Sequence, residues 1–214
     1  MAAPDSELEI LRRELETLRE TVAAQDRQFR KLTHRLKNNL QLVISIISLR
    51  LGAVDDDARR RELEDVLSKI HAVALVQRKL HDSVMPLALS FDEYLAELAA
   101  NLPRPPSGPP PEVVLDTTPV TIGIDRAVPL GLIANELITL AAQTTGGAPL
   151  SVTLATRDAA ITLSVARAGL QLPDEPRRPD YGLALVRALT RQIHAELTLA
   201  RDAVHLTFPP EPPA

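Results

Sequence analysis

Apolar residues recur at Leu8, Leu11, Leu15, Leu18, Val22, Phe29, Leu32 and Leu36, with Gln25 the one polar step, so the spacing alternates between three and four. That alternation is the seam of a supercoiled helix. No Pro or Gly interrupts the chain between Pro4 and Gly52, and the spacing predicts one long helix from Asp5 or Ser6 to about Leu51. Past Leu36 the apolar positions Leu40, Val43, Ile44, Ile47 and Leu51 widen into a stripe suited to bundle packing. Gly52 to Asp57 ends this helix and starts the next. Consecutive carboxylates point in different directions, so Asp55, Asp56 and Asp57 read as an N-cap with favourable dipole contact rather than as a cation site. The second helix, Ala58 to about Asp82, carries Leu63, Val66, Leu67, Ile70, Val73, Ala74 and Leu80 on one side. One such hairpin leaves its stripe in water. Two copies joined as a four-helix bundle cover it, so a homodimer is expected.

Met85-Pro86 breaks the helical pattern, and Phe91 to Asn101 reads as a third helix with Ser90 as its N-cap. Pro103 to Pro111 is a proline-rich linker or loop. A strand is predicted near Val113 to Leu115, a short segment at Val120 to Ile124, and a helix from Pro129 to Gln143. Alternating runs at Ser151 to Thr156 and Ala160 to Ala166 predict a hairpin across Arg157-Asp158. A helix from Gly182 to Ile193 and a closing hairpin of Glu196 to Ala200 with Ala203 to Phe208 complete the pattern. The whole is α+β, with helices on one face of a mixed sheet. The chain divides into a coiled coil at 1–32, a helical hairpin at 33–84, an α/β sandwich at 87–209 and a proline-rich tail at 210–214.

Composition narrows the chemistry. Only five of the 214 residues are aromatic, so aliphatic side chains must fill the core. With no cysteine, thiolate catalysis, disulfides and cysteine metal sites are excluded. A net charge of -4 argues against nucleic-acid binding by the whole chain. No apolar run is long enough to cross a bilayer and no secretory leader is visible, so no membrane association and a cytoplasmic location are expected. The few residues ahead of the first helix are too short for a sensory domain.

His34 holds the f position of the heptad register and points at water from the middle of a long helix, with Asn38 one turn along the same face. A lone surface histidine is usually only that, yet a solvent-facing imidazole also has a free nitrogen able to accept a phosphoryl group. The string His34-Arg35-Leu36-Lys37-Asn38-Asn39-Leu40-Gln41 resembles the phosphoacceptor box of the HisKA_2/HWE class of sensor histidine kinases, whose pattern is His-Arg-x-Lys-Asn. The resemblance covers most of the chain after residue 30. It implies a dimerisation and phosphotransfer hairpin followed by a Bergerat-type (GHKL ATPase-like) sandwich, the ATP-binding fold shared with gyrase.

The nucleotide site of that family is altered here. Active relatives carry Asn-Glu-Leu-x-x-Asn-Ala, whose second Asn holds Mg²⁺. This chain reads Asn135-Glu136-Leu137-Ile138-Thr139-Leu140-Ala141, and the isobutyl group of Leu140 offers no oxygen to a metal. The family's Asp-x-Gly-x-Gly box accepts a hydrogen bond from adenine. Here Arg167 stands at the Asp, Gly169 at the first Gly and Gln171 at the second, and a guanidinium only donates. The later glycine-rich phosphate loop is reduced to Tyr181-Gly182-Leu183-Ala184-Leu185, after a short, proline-rich lid between Pro173 and Tyr181.

The resemblance and these losses together point to a degenerate ATPase-like domain and a dimeric histidine phosphotransferase. In that reading His34 passes a phosphoryl group between the aspartates of response-regulator receiver domains without ATP. No cofactor of its own is expected, and the partner receiver supplies Mg²⁺. Asn38 is placed to orient a phosphoryl oxygen or a water, while Arg35 and Lys37 offset phosphoryl charge. A receiver phosphatase acting through Asn38, a residual ATP-dependent kinase and a non-catalytic dimeric scaffold remain open alternatives.

Overall fold

The computed structural model describes residues 4–82, 88–102, 111–144, 148–157, 160–170 and 181–210. Its contacts cluster into two compact units, Met1–Val43 and Ile44–Ala214. The first holds helix α1, Pro4–Gly52, up to Val43, and the remainder of the helix belongs to the second. Along α1 the seam residues Leu11, Leu15, Leu18, Val22, Leu32 and Leu36 are exposed in the single chain.

The second unit is drawn differently from the segments expected from sequence, because helix α2, Asp57–Asp82, belongs to its core. The start of α2 follows the capping chemistry: Asp56 Oδ1 accepts from the amides of Ala58 at 2.8 Å and Arg59 at 3.0 Å. Of the expected stripe, Leu80 is buried, Leu63, Leu67, Ile70, Val73 and Ala74 are half-buried, and Val66 is exposed. The face buried within the chain is instead Ala72, Leu75, Val76 and Leu80. Periodicity alone found the half-buried stripe and passed over Ala72, Leu75 and Val76, which are buried within the chain.

Strand β1, Ala88–Ser90, which was not foreseen, pairs antiparallel with β3, Thr121–Gly123, which lies within the segment Val120 to Ile124 read from sequence. Between them lie helix α3, Phe91–Ala100, and strand β2, Val113–Thr117. Ser90 stands at the N-cap of α3, but its side chain makes no capping bond. Helix α4 runs Ile124–Gln143, beginning five residues before the expected Pro129, which lies inside it. Strands β4, Leu150–Arg157, and β5, Ala160–Ala166, are followed by helix α5, Tyr181–Gln192, and strands β6, Glu196–Ala200, and β7, Ala203–Phe208.

The main sheet is five-stranded in the order β2-β4-β5-β7-β6, with β2 parallel to β4 and the remaining pairs antiparallel. Period-two alternation aims one row of side chains at the helices: Val152, Val165 and Val204 are cross-strand neighbours, as are Leu154, Leu163 and Leu206. These pack with Leu130, Ile133, Ala134, Leu137 and Ile138 of α4 and Val186 of α5. The opposite row is small and polar, with Ser164 Oγ 2.8 Å from His205 Nδ1.

The contact of α2 with α4 is close enough to need a glycine. A Cβ on Gly131 would come within 2.6 Å of Val76 Cγ2 and 3.1 Å of the Tyr94 hydroxyl oxygen. That hydroxyl donates to Gly131 O at 3.0 Å, which satisfies a phenol otherwise wholly buried. Burial alone drives its pKa well above the ordinary range for tyrosine.

Candidate functional site

Helix geometry sets His34 and Asn38 one above the other, and both are exposed on α1. Asn38 Nδ2 lies 3.3 Å from His34 Nδ1. The pairing fixes the imidazole by its Nδ1 edge and leaves the Nε2 edge to solvent. With the amide turned so that its oxygen accepts from Nδ1–H, Nε2 carries the lone pair a nucleophile needs. Arg35 and Lys37 are exposed and leave the helix on either side of His34. Of the other histidines, His71 and His81 are exposed on α2, His194 sits in a turn with φ of 53°, and His205 shares the open sheet face with Ser164.

The residues expected to form the remnant nucleotide site lie in the second unit. Asn135 is buried, and its Oδ1 accepts from Ser68 Oγ of α2 at 3.2 Å. Glu136 meets Lys69 Nζ at 3.1 Å, and Lys69 also bridges to Asp65. Burial pushes the Glu136 carboxyl above the ordinary glutamate range despite the opposing pull of Lys69. Leu140, one turn on from Glu136, is half-buried.

Arg167 turns away from the role of the aspartate it replaces. Its guanidinium is buried and donates through Nη1 to the carbonyls of Ala141 at 2.9 Å and Ala142 at 2.8 Å, and through Nε to Ala148 O at 3.1 Å. It therefore closes the C-terminus of α4, where carbonyls lack helical partners and the macrodipole is negative. The turn between β6 and β7 holds the same segment. Asp202 O accepts from Arg167 N at 2.9 Å and Asp202 Oδ1 from Gly169 N at 2.8 Å, with Gly169 at a φ of 83° that suits glycine.

Neither substituted side chain supplies what Mg·ATP asks at its position: Leu140 has no oxygen for a metal, and Arg167 has no acceptor for an adenine amino group. Gln171 and the segment 173–180 lie outside the described residues, while Gly182 is half-buried in the first turn of α5. No group of three or more acidic or histidine side chains among the described residues is arranged to hold a metal ion. No described helix is long and apolar enough to cross a membrane.

Ser68, Lys69 and Val76 were not singled out by sequence, since a polar pair on the flank of an amphipathic helix looks like solvated surface. Gly131 was the available signal, because a glycine inside a helix marks a close approach.

The family model for HisKA_2, described as histidine kinase, matches residues 32–104. Blue-light-activated histidine kinase 2 of Erythrobacter litoralis is 26% identical over 191 residues, which are 82% of this chain and 54% of the relative. The chain thus spans about half the length of that curated relative. Among solved structures, the blue-light-activated histidine kinase EL346 of Erythrobacter litoralis superposes with a TM-score of 0.61 at 17% identity, covering 83% of this chain and 59% of that one. Its isolated histidine kinase domain gives a TM-score of 0.59 at 21% identity, over 86% of this chain and 91% of the domain. The box around His34 opens the matched segment, the α/β unit has the fold of the histidine kinase catalytic domain, and residues 32–104 of the chain are similar to the HisKA_2 histidine kinases.

Proposed function

We propose that the protein is a dimeric histidine phosphotransferase that relays a phosphoryl group between receiver domains of response regulators through His34. The observation that carries this reading is the contrast between its two sites. His34 is exposed, with Asn38 on its Nδ1 edge and Arg35 and Lys37 beside it. The residues at the metal and base positions of the nucleotide site are a leucine and an arginine already engaged by backbone carbonyls.

In the forward step His34 Nε2 attacks the phosphorus of an aspartyl phosphate in line with the leaving carboxylate. An N–P bond forms as the O–P bond breaks, and the receiver's carboxylate departs with the electron pair. The reverse step on a second receiver restores the imidazole. An acyl phosphate and a phosphorylated imidazole are close enough in transfer potential for exchange both ways. Mg²⁺ comes with the receiver. The helix supplies a positioned nucleophile, and Arg35 and Lys37 supply charge to the three equatorial oxygens. The exposed seam of α1 and the half-buried stripe of α2 suit a second copy, which would present two such sites on one bundle.

A receiver phosphatase is favoured by one specific feature, the amide of Asn38 beside the imidazole, which is also where a hydrolytic water would be held. Mixing the protein with a ³²P-labelled receiver separates the two. Label on His34 supports relay, label released as free phosphate supports the phosphatase, and label staying on the receiver contradicts both.

A further inference from the structure

We infer that Asn135 and Glu136, the two polar residues of the motif that match the family pattern, act as positioning residues in a clamp that locks helix α2 onto helix α4. Ser68 and Lys69 are the other half of that clamp. This inference is independent of the relay, since it concerns how the second unit is held and not what His34 exchanges.

Two layers of contact meet at this interface. The apolar layer is Leu75, Val76 and Leu80 of α2, which share one core with Leu130, Ile133, Ala134 and Leu137 of α4. Gly131 lets the helices approach until Val76 fills the space a Cβ would take, and the Tyr94 hydroxyl bonds the same glycine's carbonyl. The notch at Gly131 already favours one register. The polar layer reinforces it. Consecutive residues of α2 meet consecutive residues of α4, Ser68 with Asn135 at 3.2 Å and Lys69 with Glu136 at 3.1 Å. A shift of α2 by one turn breaks both and leaves Asn135 and Glu136 buried without these partners.

Asn135 and Glu136 are thus engaged by a helix of the same chain. Buried ionic groups of this kind add little net stability and much specificity of register. The clamp makes α2 and the α/β sandwich one rigid piece, without the hinge a catalytic lobe would need in order to move along the hairpin.

The test is pulsed electron-electron spin-distance measurement on the full-length protein. The chain has no cysteine, so single cysteines at the exposed positions Glu62 of α2 and Ala184 of α5 can carry the labels, with labelled chains diluted into unlabelled ones to remove signals between copies. The clamp gives one narrow distance distribution, unchanged by millimolar Mg·ATP. Ser68→Ala with Lys69→Met broadens it while circular dichroism retains the helical signal. The charge swap Lys69→Glu with Glu136→Lys, made together with Asp65→Lys to keep the i,i+4 pair, retains the narrow distribution, which a merely structural role in filling space does not explain. Gly131→Ala, which meets Val76, also broadens the distribution, and adding Val76→Ala restores it. A broad or two-peaked distribution in the unsubstituted protein overturns the inference, as does a Ser68→Ala/Lys69→Met variant as narrow as its parent.

Discussion

Arg167 Nη1 lies 2.9 Å from the carbonyl oxygen of Ala141, so an arginine from the end of the central strand β5 caps the last turn of the central helix α4. Where the resemblance implies an acceptor for adenine, this chain has a donor that its own fold uses. Arg167→Asp removes charge-assisted hydrogen bonds to buried carbonyls and places a negative group at the negative end of a helix. Urea unfolding should show a loss of about 3 kcal/mol for this variant, and Arg167→Met should lose about 2 kcal/mol. An aspartate at position 167 is not expected to confer nucleotide binding, because Leu140 offers no oxygen to a metal.

Mg·ATP should give no measurable heat in calorimetry at millimolar nucleotide, for the original chain and for Arg167→Asp alike. A micromolar dissociation constant in either would revive the kinase reading and make Glu136 the first candidate for its catalytic residue.

The protein should be a parallel homodimer through residues 6–82. Ile47 and Ile70 are half-buried in the single chain, on stripes that a second copy would cover. Replacing both with Asp should halve the mass measured by light scattering while the circular dichroism of the α/β unit persists. An unchanged mass would place the dimer interface elsewhere or remove it.

Glu136 gives a signed pH dependence. Its pKa in the folded chain is raised by burial above the unfolded value of 4.5, so between those two values the folded state binds the extra proton. Its contribution to stability is greatest at acid pH and is lost as pH rises through the folded pKa. Glu136→Gln removes that dependence. The difference in melting temperature, variant minus parent, should therefore grow in the variant's favour from pH 4.5 toward neutrality. A difference that shrinks over the same range would mean that Lys69 outweighs desolvation.

Much of the architecture was legible because it rests on period. Two to four residues per repeat separate helix from strand, and α1, β5, β6 and β7 fall where the alternation placed them. Contacts between elements distant in sequence were not legible. The start of α4 was missed because Pro129 looks like a first-turn proline, although the helix accommodates it in its second turn. The true buried face of α2 was missed because Leu75 and Val76 sit off the stripe that heptad logic selects, and only Gly131 on another helix explains them. Within the candidate site, the i and i+4 spacing of His34 and Asn38 sufficed to place them together. The substitution at Arg167 was visible as a loss, whereas its gain as a helix cap depends on carbonyls more than twenty residues away in sequence.

The central claim rests on one nitrogen, so the decisive measurement is to map the ³²P acquired from a labelled receiver by acid-labile peptide analysis. The account predicts all label on the peptide containing His34, none in His34→Gln with the fold and receiver docking intact, and in Asn38→Ala a labelled His34 whose phosphate is released at an altered rate. Label that persists in His34→Gln, or that maps to the exposed His71 or His81, would contradict the assignment and the relay with it.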